Sequence, residues 1–303
     1  MRTSTVRRVG LSVAVAAALT SVAACGGSDS GSTNKGANRG GTVVKADPIA
    51  ALLAAQKKTG GAESAKIEGT TTMGSTMSMK QTGALDWSDG IKGSMEITYT
   101  GGTMADSMKQ LGSDGSMQAR YFKDGYAADM GAALGKQMGG KHWISYSYDD
   151  LAEMGGASGV AMKEQMENTS PDQGVKPLLA SGDVKRVGQE DVRGVSATHY
   201  SGTVDVAELT AKNSKLDADQ LSALKKQLND AGITTEKIDI WIDENDLLVK
   251  KTERGQMKTG ELNSTVFYSD YGTKVSVERP PAGETIEFKE LLKQQQGATG
   301  GAS

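Results

Sequence analysis

The chain has 303 residues, with 34 Lys and Arg against 37 Asp and Glu, a formal charge of −3 and no block of basic residues. That balance excludes a phosphate-backbone binder, so no nucleic acid is expected as a partner. A single cysteine, Cys25, excludes a disulfide framework, and 39 glycines favour turns and bends over long helices.

Residues 1–24 carry Arg2, Arg7 and Arg8, no acid, and an apolar run from Leu11 to Leu19. That is the charged and apolar part of an export signal, and the run is about half the ~20 residues needed to span a bilayer. Arg7 and Arg8 form a twin-arginine pair whose following residues fit that export route poorly, so the route stays open. Val22-Ala-Ala-Cys25 followed by Gly26-Gly27-Ser28 resembles the bacterial lipobox. The resemblance implies a diacylglyceryl group on the Cys25 thiol and cleavage before it. Cys25 would then anchor the protein to the outer face of the cell membrane, and several acyl chains hold far better than one. Without residues 1–24 the balance becomes 31 basic against 37 acidic residues, a charge of −6. Residues 25–45 are rich in Gly, Ser, Asn and Thr and read as a flexible tether.

A folded domain is expected over residues 46–296, with a disordered tail at 297–303. Asp47-Pro48 opens a helix, Ile49, Leu52 and Leu53 form its apolar stripe, Lys57 and Lys58 occupy its last turn, and Gly60 ends it. Strand texture follows at 65–73, 75–82 and 84–87, and again at 93–100, 116–123 and 141–146, punctuated by Gly74, Gly83, Asp89-Gly90 and Asp124-Gly125. Residues 150–181 switch to helical spacing, with Met162 and Met166 four apart, Pro171 and Pro177 interrupting, and a short helix at 175–179.

Strands return at 184–190 and 195–204. Asp217 with Gln220 forms a capping box, and Leu216 with Leu221 a hydrophobic staple, for a helix whose face carries Leu221, Leu224, Leu228 and Ala231 and which ends at Gly232. Ile238, Ile240 and Ile242 alternate with Asp239, Trp241 and Asp243, the pattern of a sheet with one buried face. Further strands are expected at 247–254, 262–269 and 273–278, then a stop at Pro280-Pro281 and a helix over 285–296 with Phe288, Leu291 and Leu292. Strands and helices do not alternate, so the class is α+β, one large antiparallel sheet covered by a few helices.

Catalytic and metal signatures are missing from the sequence. The two histidines, His142 and His199, have no G-x-S-x-G or H-E-x-x-H beside them and read as structural. Asp243-Glu-Asn-Asp246 starts like a calcium loop but has Leu248 in place of the turn glycine and Arg254 in place of the bidentate glutamate, so a polar hairpin turn is the better reading. Carboxylate pairs such as Glu190-Asp191 and Asp149-Asp150 carry no separation that would mark a hydrolase. No enzyme, cofactor or metal is therefore expected. Twelve of the 14 methionines fall between Met73 and Met166, a concentration that suits either gap-filling in the core or an adaptable apolar surface.

The order of these elements, with the stretch Gly194-Val-Ser-Ala-Thr-His-Tyr200, the Trp241-Ile-Asp243 strand and the closing Tyr268 to Pro281 segment, resembles the LppX/LprG-type lipoproteins of actinobacteria, which are similar in fold to the LolA and LolB carriers. The resemblance spans roughly residues 45–293. It implies a single curved antiparallel sheet, a half-barrel, with helices on its concave face and an apolar cavity between them that accepts acyl chains. The function it implies is binding or carrying a lipid or other apolar ligand. The alternative is a surface sensor or scaffold that binds a protein partner with the same fold.

Overall fold

The computed structural model describes residues 47–167, 170–208 and 218–299. Cys25, the export signal, the tether, Leu216 and Asp217 lie outside them, as do the side chains of Gln220 and Leu224. The described chain forms one open, curled twelve-stranded sheet: β1 (Ser64–Met73), β2 (Met77–Asp86), β3 (Lys92–Gly101), β4 (Ser116–Phe122), β5 (Gly125–Asp129), β6 (Trp143–Ser147), β7 (Lys185–Val192), β8 (Val195–Asp205), β9 (Thr235–Asp243), β10 (Leu248–Met257), β11 (Gly260–Ser269) and β12 (Thr285–Glu287). The spatial order is β12-β6-β5-β4-β3-β2-β1-β11-β10-β9-β8-β7. Every pairing is antiparallel except that of β12 with β6. The seven α-helices among the described residues are α1 (Pro48–Gly60), α2 (Gly102–Gln110), α3 (Gly131–Gln137), α4 (Tyr148–Glu167), α5 (Lys176–Ser181), α6 (Ala218–Ala231) and α7 (Phe288–Thr299).

The expected α+β class holds. α1 begins as its sequence dictates, with the Asp47 carboxylate accepting from Ile49 N–H at 3.0 Å and Pro48 in the first turn. Its last turn is tied down from the end of β2, because the Trp87 indole N–H donates at 3.0 Å to the Gly60 carbonyl, which also accepts from Glu63 N–H at 3.4 Å. Leu52 and Ala55 of α1 join Val175 and Leu178 to bury Tyr200, Val204, Ile238, Ile240, Ile242 and Leu248, which defines the concave, helix-bearing face. Gly202 must lack a side chain there, since a Cβ would sit 2.6 Å from the Leu178 Cδ1. Where β10 bulges after Leu248, the freed groups find other partners: Leu248 N–H donates to Thr59 Oγ1 at 3.1 Å and its carbonyl accepts from the Tyr271 hydroxyl at 2.5 Å.

Several expectations need correction. Residues 273–278 are not a strand. They belong to an irregular strap that leaves β11 in mid-sheet and crosses the back face to deliver β12 to the far edge. Their alternation reflects packing across that face, where Val277 meets Phe122, Ala127 and Trp143. Arg120 donates to the Glu278 carbonyl at 3.1 Å, and Arg279 lies over the Phe122 ring. Strand β5 and helices α2 and α3 were not foreseen, and the final helix runs from Phe288 to Thr299 rather than over 285–296.

β9 is buried on both faces, not one, with Asp239 at 1% and Trp241 at 4% exposure. The tip of the β7–β8 hairpin bends over the back face, so Val192 packs on Trp241 and Arg193 reaches Glu68 on β1 at 2.8 Å.

His142 clasps the strap to the sheet. Its Nδ1 meets Asp129 Oδ1 at 2.8 Å and its Nε2 meets Glu284 Oε2 at 3.1 Å, just before β12. The Asp129 hydrogen bond raises the His142 pKa above its ordinary 6.5; burial opposes it, and the Asp129 charge and Glu284 add to it. A raised value in the folded state means that this stabilisation is complete below the unfolded pKa and is lost as pH climbs through the folded one. NMR titration is expected to place the His142 midpoint above 6.5. In urea melts, the stability lost between about pH 6 and pH 9 is expected to shrink in His142→Gln; an unchanged slope would contradict the clasp. Leu178→Ala is expected to lower stability by about 2–5 kcal/mol, against under about 0.5 kcal/mol for Val187→Ala at a site 57% exposed.

Candidate ligand-binding site

The concave face has two halves. The half built on β8–β10 is closed by α1 and α5, as above. The half built on β1–β4 gathers Ile67, Leu85, Ile91, Met95, Ile97 and Ala119, with Met79, Tyr99, Met117, Tyr121 and Tyr268 half-buried around them. Every described member of this second cluster comes from the sheet or the β2–β3 loop, and none from a helix. One cross-strand row explains its shape: Ile67, Gly83, Met95, Ala119, Ala128 and Ile144 stand opposite one another from β1 to β6. Small residues in the row leave a shallow floor, and a Cβ on Gly83 would fall 2.7 Å from the Met95 Sδ.

The methionines therefore divide. Met79, Met95 and Met117 line this floor, Met108 is buried under α2, and Met104 and Met154 are 43% and 42% exposed. They do not form a single surface, and the Met162 side chain lies outside the described residues.

Beside the floor lies a cavity of about 710 Å³, within the size range of ligand sites. Its walls include Tyr126 and Tyr146 of this face with Tyr148, Leu151 and Phe288, and also Phe122 and Arg279 of the back face. Tyr121, Tyr126 and Tyr146 occupy one cross-strand row on β4, β5 and β6. Their rings run side by side, at 6.0 Å and 4.6 Å between centroids, and Phe288 of α7 continues the series at 4.9 Å. Burial pushes the Tyr121, Tyr126 and Tyr146 hydroxyls to higher pKa, and their mutual proximity adds to it, so the row is uncharged. The four cations that line the cavity among the described residues are each paired. Lys123 binds Asp89, Lys163 binds Asp149, Arg279 binds Asp124, and Lys289 binds Asp150.

Of the residues singled out for chemistry, Asp149 and Asp150 line this cavity, and the others lie elsewhere. His199 sits on the back face, with Nδ1 2.8 Å from Glu190 and Nε2 2.9 Å from Asp239, and stacks on Trp241 at 4.2 Å. The Trp241 N–H donates to the other Glu190 oxygen at 2.8 Å. That bond and the His199 bond hold the Glu190 carboxyl below its ordinary pKa. Burial pushes Asp239 up, but hydrogen bonds from Ser201 and His199 and the charge of Lys237 outweigh it, so Asp239 is held low. This network ties β7, β8 and β9 together.

Asp243 Oδ1 accepts from the N–H groups of Asn245 and Leu247 at 2.9 and 2.8 Å, which makes the 243–246 stretch a hairpin turn. Asp149 and Asp150 open α4 and pair with Lys163 and Lys289. Among the described residues no group of three or more His, Cys, Asp or Glu could hold a metal ion, and no helix is long and apolar enough to cross a membrane. The tyrosine row is invisible in the sequence pattern, because one of its three strands, β5, follows the Asp124-Gly125 turn with no alternation of its own.

No family model matches the chain. A Streptomyces griseus protein, described as an uncharacterized 31.2 kDa protein of the rplA-rplJ intergenic region, is 69% identical over 261 residues, covering 86% of this chain and 85% of the relative. A "Putative lipoprotein" of Streptomyces coelicolor is 43% identical over 310 residues, covering 97% and 99% of the two chains. Among solved structures, the Mycobacterium tuberculosis lipoprotein LppX shares 13% identity at a TM-score of 0.46, over 76% of this chain and 98% of that one. LprF of Mycobacterium bovis shares 13% at 0.41, over 78% and 97%. By its identity to the Streptomyces coelicolor protein over nearly the whole of both sequences, the chain belongs to that protein's family.

Proposed function

We propose that the protein is an extracytoplasmic lipoprotein, anchored by lipid on Cys25, that binds or carries an apolar molecule between its sheet and helices. The observation that carries this reading is the uneven cover of the concave face. Its β8–β10 half is plugged by Leu52 and Leu178, while its β1–β4 half presents Met79, Met95 and Met117 with no described helical residue among them. An apolar face into which no described helical residue packs is a candidate binding site, and methionine suits it to ligands of varied shape. The adjoining 710 Å³ cavity gives such a ligand room. The lipobox and the name of the Streptomyces coelicolor relative support the anchor. No observation on the concave face favours a protein partner over this.

The test is mass spectrometry of protein made in a native actinobacterial host. The N-terminal peptide is expected to begin at Cys25 with a diacylglyceryl group, which Cys25→Ser removes. Solvent extraction of the Cys25→Ser chain is expected to release an acyl-chain lipid in near-stoichiometric amount. An unmodified Cys25 thiol would overturn the anchor. Absence of bound lipid, with no uptake of fluorescent acyl probes, would overturn the binding reading.

A further inference from the structure

The hydroxyls of Tyr99, Tyr121, Tyr126 and Tyr146 are a polar feature that the fold does not use. All four side chains are half-buried on the concave face. Tyr121, Tyr126 and Tyr146 form the stacked row described above, whose place on β3 is taken by Gly93, and Tyr99, six residues further along the same face of β3, is close enough to influence all three electrostatically. Among the described residues, none of the four hydroxyls meets a hydrogen-bond partner. Semi-enclosed polar groups without protein partners are costly to leave unmatched when an apolar ligand displaces their water. A ligand that fills this face must therefore bring polar atoms to this point.

We propose that the Tyr121–Tyr126–Tyr146 row, with Tyr99, binds the ester carbonyls of a neutral acylglycerol whose acyl chains lie on the methionine floor. This deepens the lipid reading above and rests on it. Each phenol keeps its proton and offers one O–H donor, which matches acceptor-only carbonyl oxygens. Among the described residues the rim cations are all engaged with carboxylates, which disfavours a phosphate as the polar group. Spacing agrees as well: neighbouring strands place the tyrosines about 5 Å apart, comparable with the separation of ester groups on a glycerol backbone.

The test compares the full chain carrying Cys25→Ser with the same chain bearing Tyr121→Phe, Tyr126→Phe and Tyr146→Phe. Each protein is titrated with 1,2-dioleoylglycerol and with squalene, a hydrocarbon without acceptors. The triple variant is expected to bind dioleoylglycerol about tenfold more weakly and squalene within about twofold of the parent. Its melting temperature is expected to be unchanged or higher, because removing unpartnered hydroxyls leaves the packing intact. Equal affinity of the variant and the parent for dioleoylglycerol would overturn the inference. So would an equal loss for both ligands. If the parent binds neither, the lipid reading itself fails and the inference falls with it.

Discussion

The pairing of β1 with β11 holds the molecule together. Eight residue pairs, from Lys66 with Ser269 to Met73 with Leu262, join segments almost 200 positions apart and turn two separate meanders into one sheet. Tyr268, opposite Ile67, packs against both halves of the concave face, so the plugged half and the open half share one side chain at their seam. The strand ends are sealed by local bonds. Gly272 N–H donates to the Ser64 carbonyl at 3.0 Å, and the Ser64 hydroxyl donates to the Thr273 carbonyl at 2.7 Å. From that point the strap must cross the back face to reach β6, and the Arg120, Arg279 and His142 contacts fix its path. The closing of non-local pairs this distant is slow, so this seam is the natural late step of folding.

The two halves follow different rules. In the β8–β10 half, branched residues and a glycine under Leu178 let α5 approach closely, which yields a closed core. In the β1–β4 half, the row through Gly83, Ala119 and Ala128 is flat, and its larger neighbours are methionines and tyrosines. A flat floor edged by long, adaptable or amphipathic side chains accommodates a ligand more readily than a helix. The back face is covered differently, by a hairpin tip and a strap whose Arg193 and Arg279 lie over Phe267 and Phe122, while Arg120 of β4 lies over Trp143.

Much of this was legible in the sequence where local chemistry sets local structure. The Asp47-Pro48 start of α1 emerges as read, and β9 forms where its alternation placed it, although both of its faces are buried. Reading failed where tertiary packing decides. β5 is five residues with two adjacent alanines and shows no alternation, so only its neighbours β4 and β6 define it. Val275 and Val277 alternate with polar residues as a strand would, yet they serve a strap. α2 starts on Gly101-Gly102 without a side-chain cap, which hides it from any start signal. The floor itself was half visible: the concentration of methionine pointed to the right stretch of chain, but which three of them face the open half depends on strand register.

The most direct test of the open floor is methyl NMR of the chain labelled at methionine, titrated with oleate. Selective shifts at Met79, Met95 and Met117, with the exposed Met104 and Met154 unmoved, would support the account. Shifts confined to Met104 and Met154, or none at saturating oleate, would contradict it.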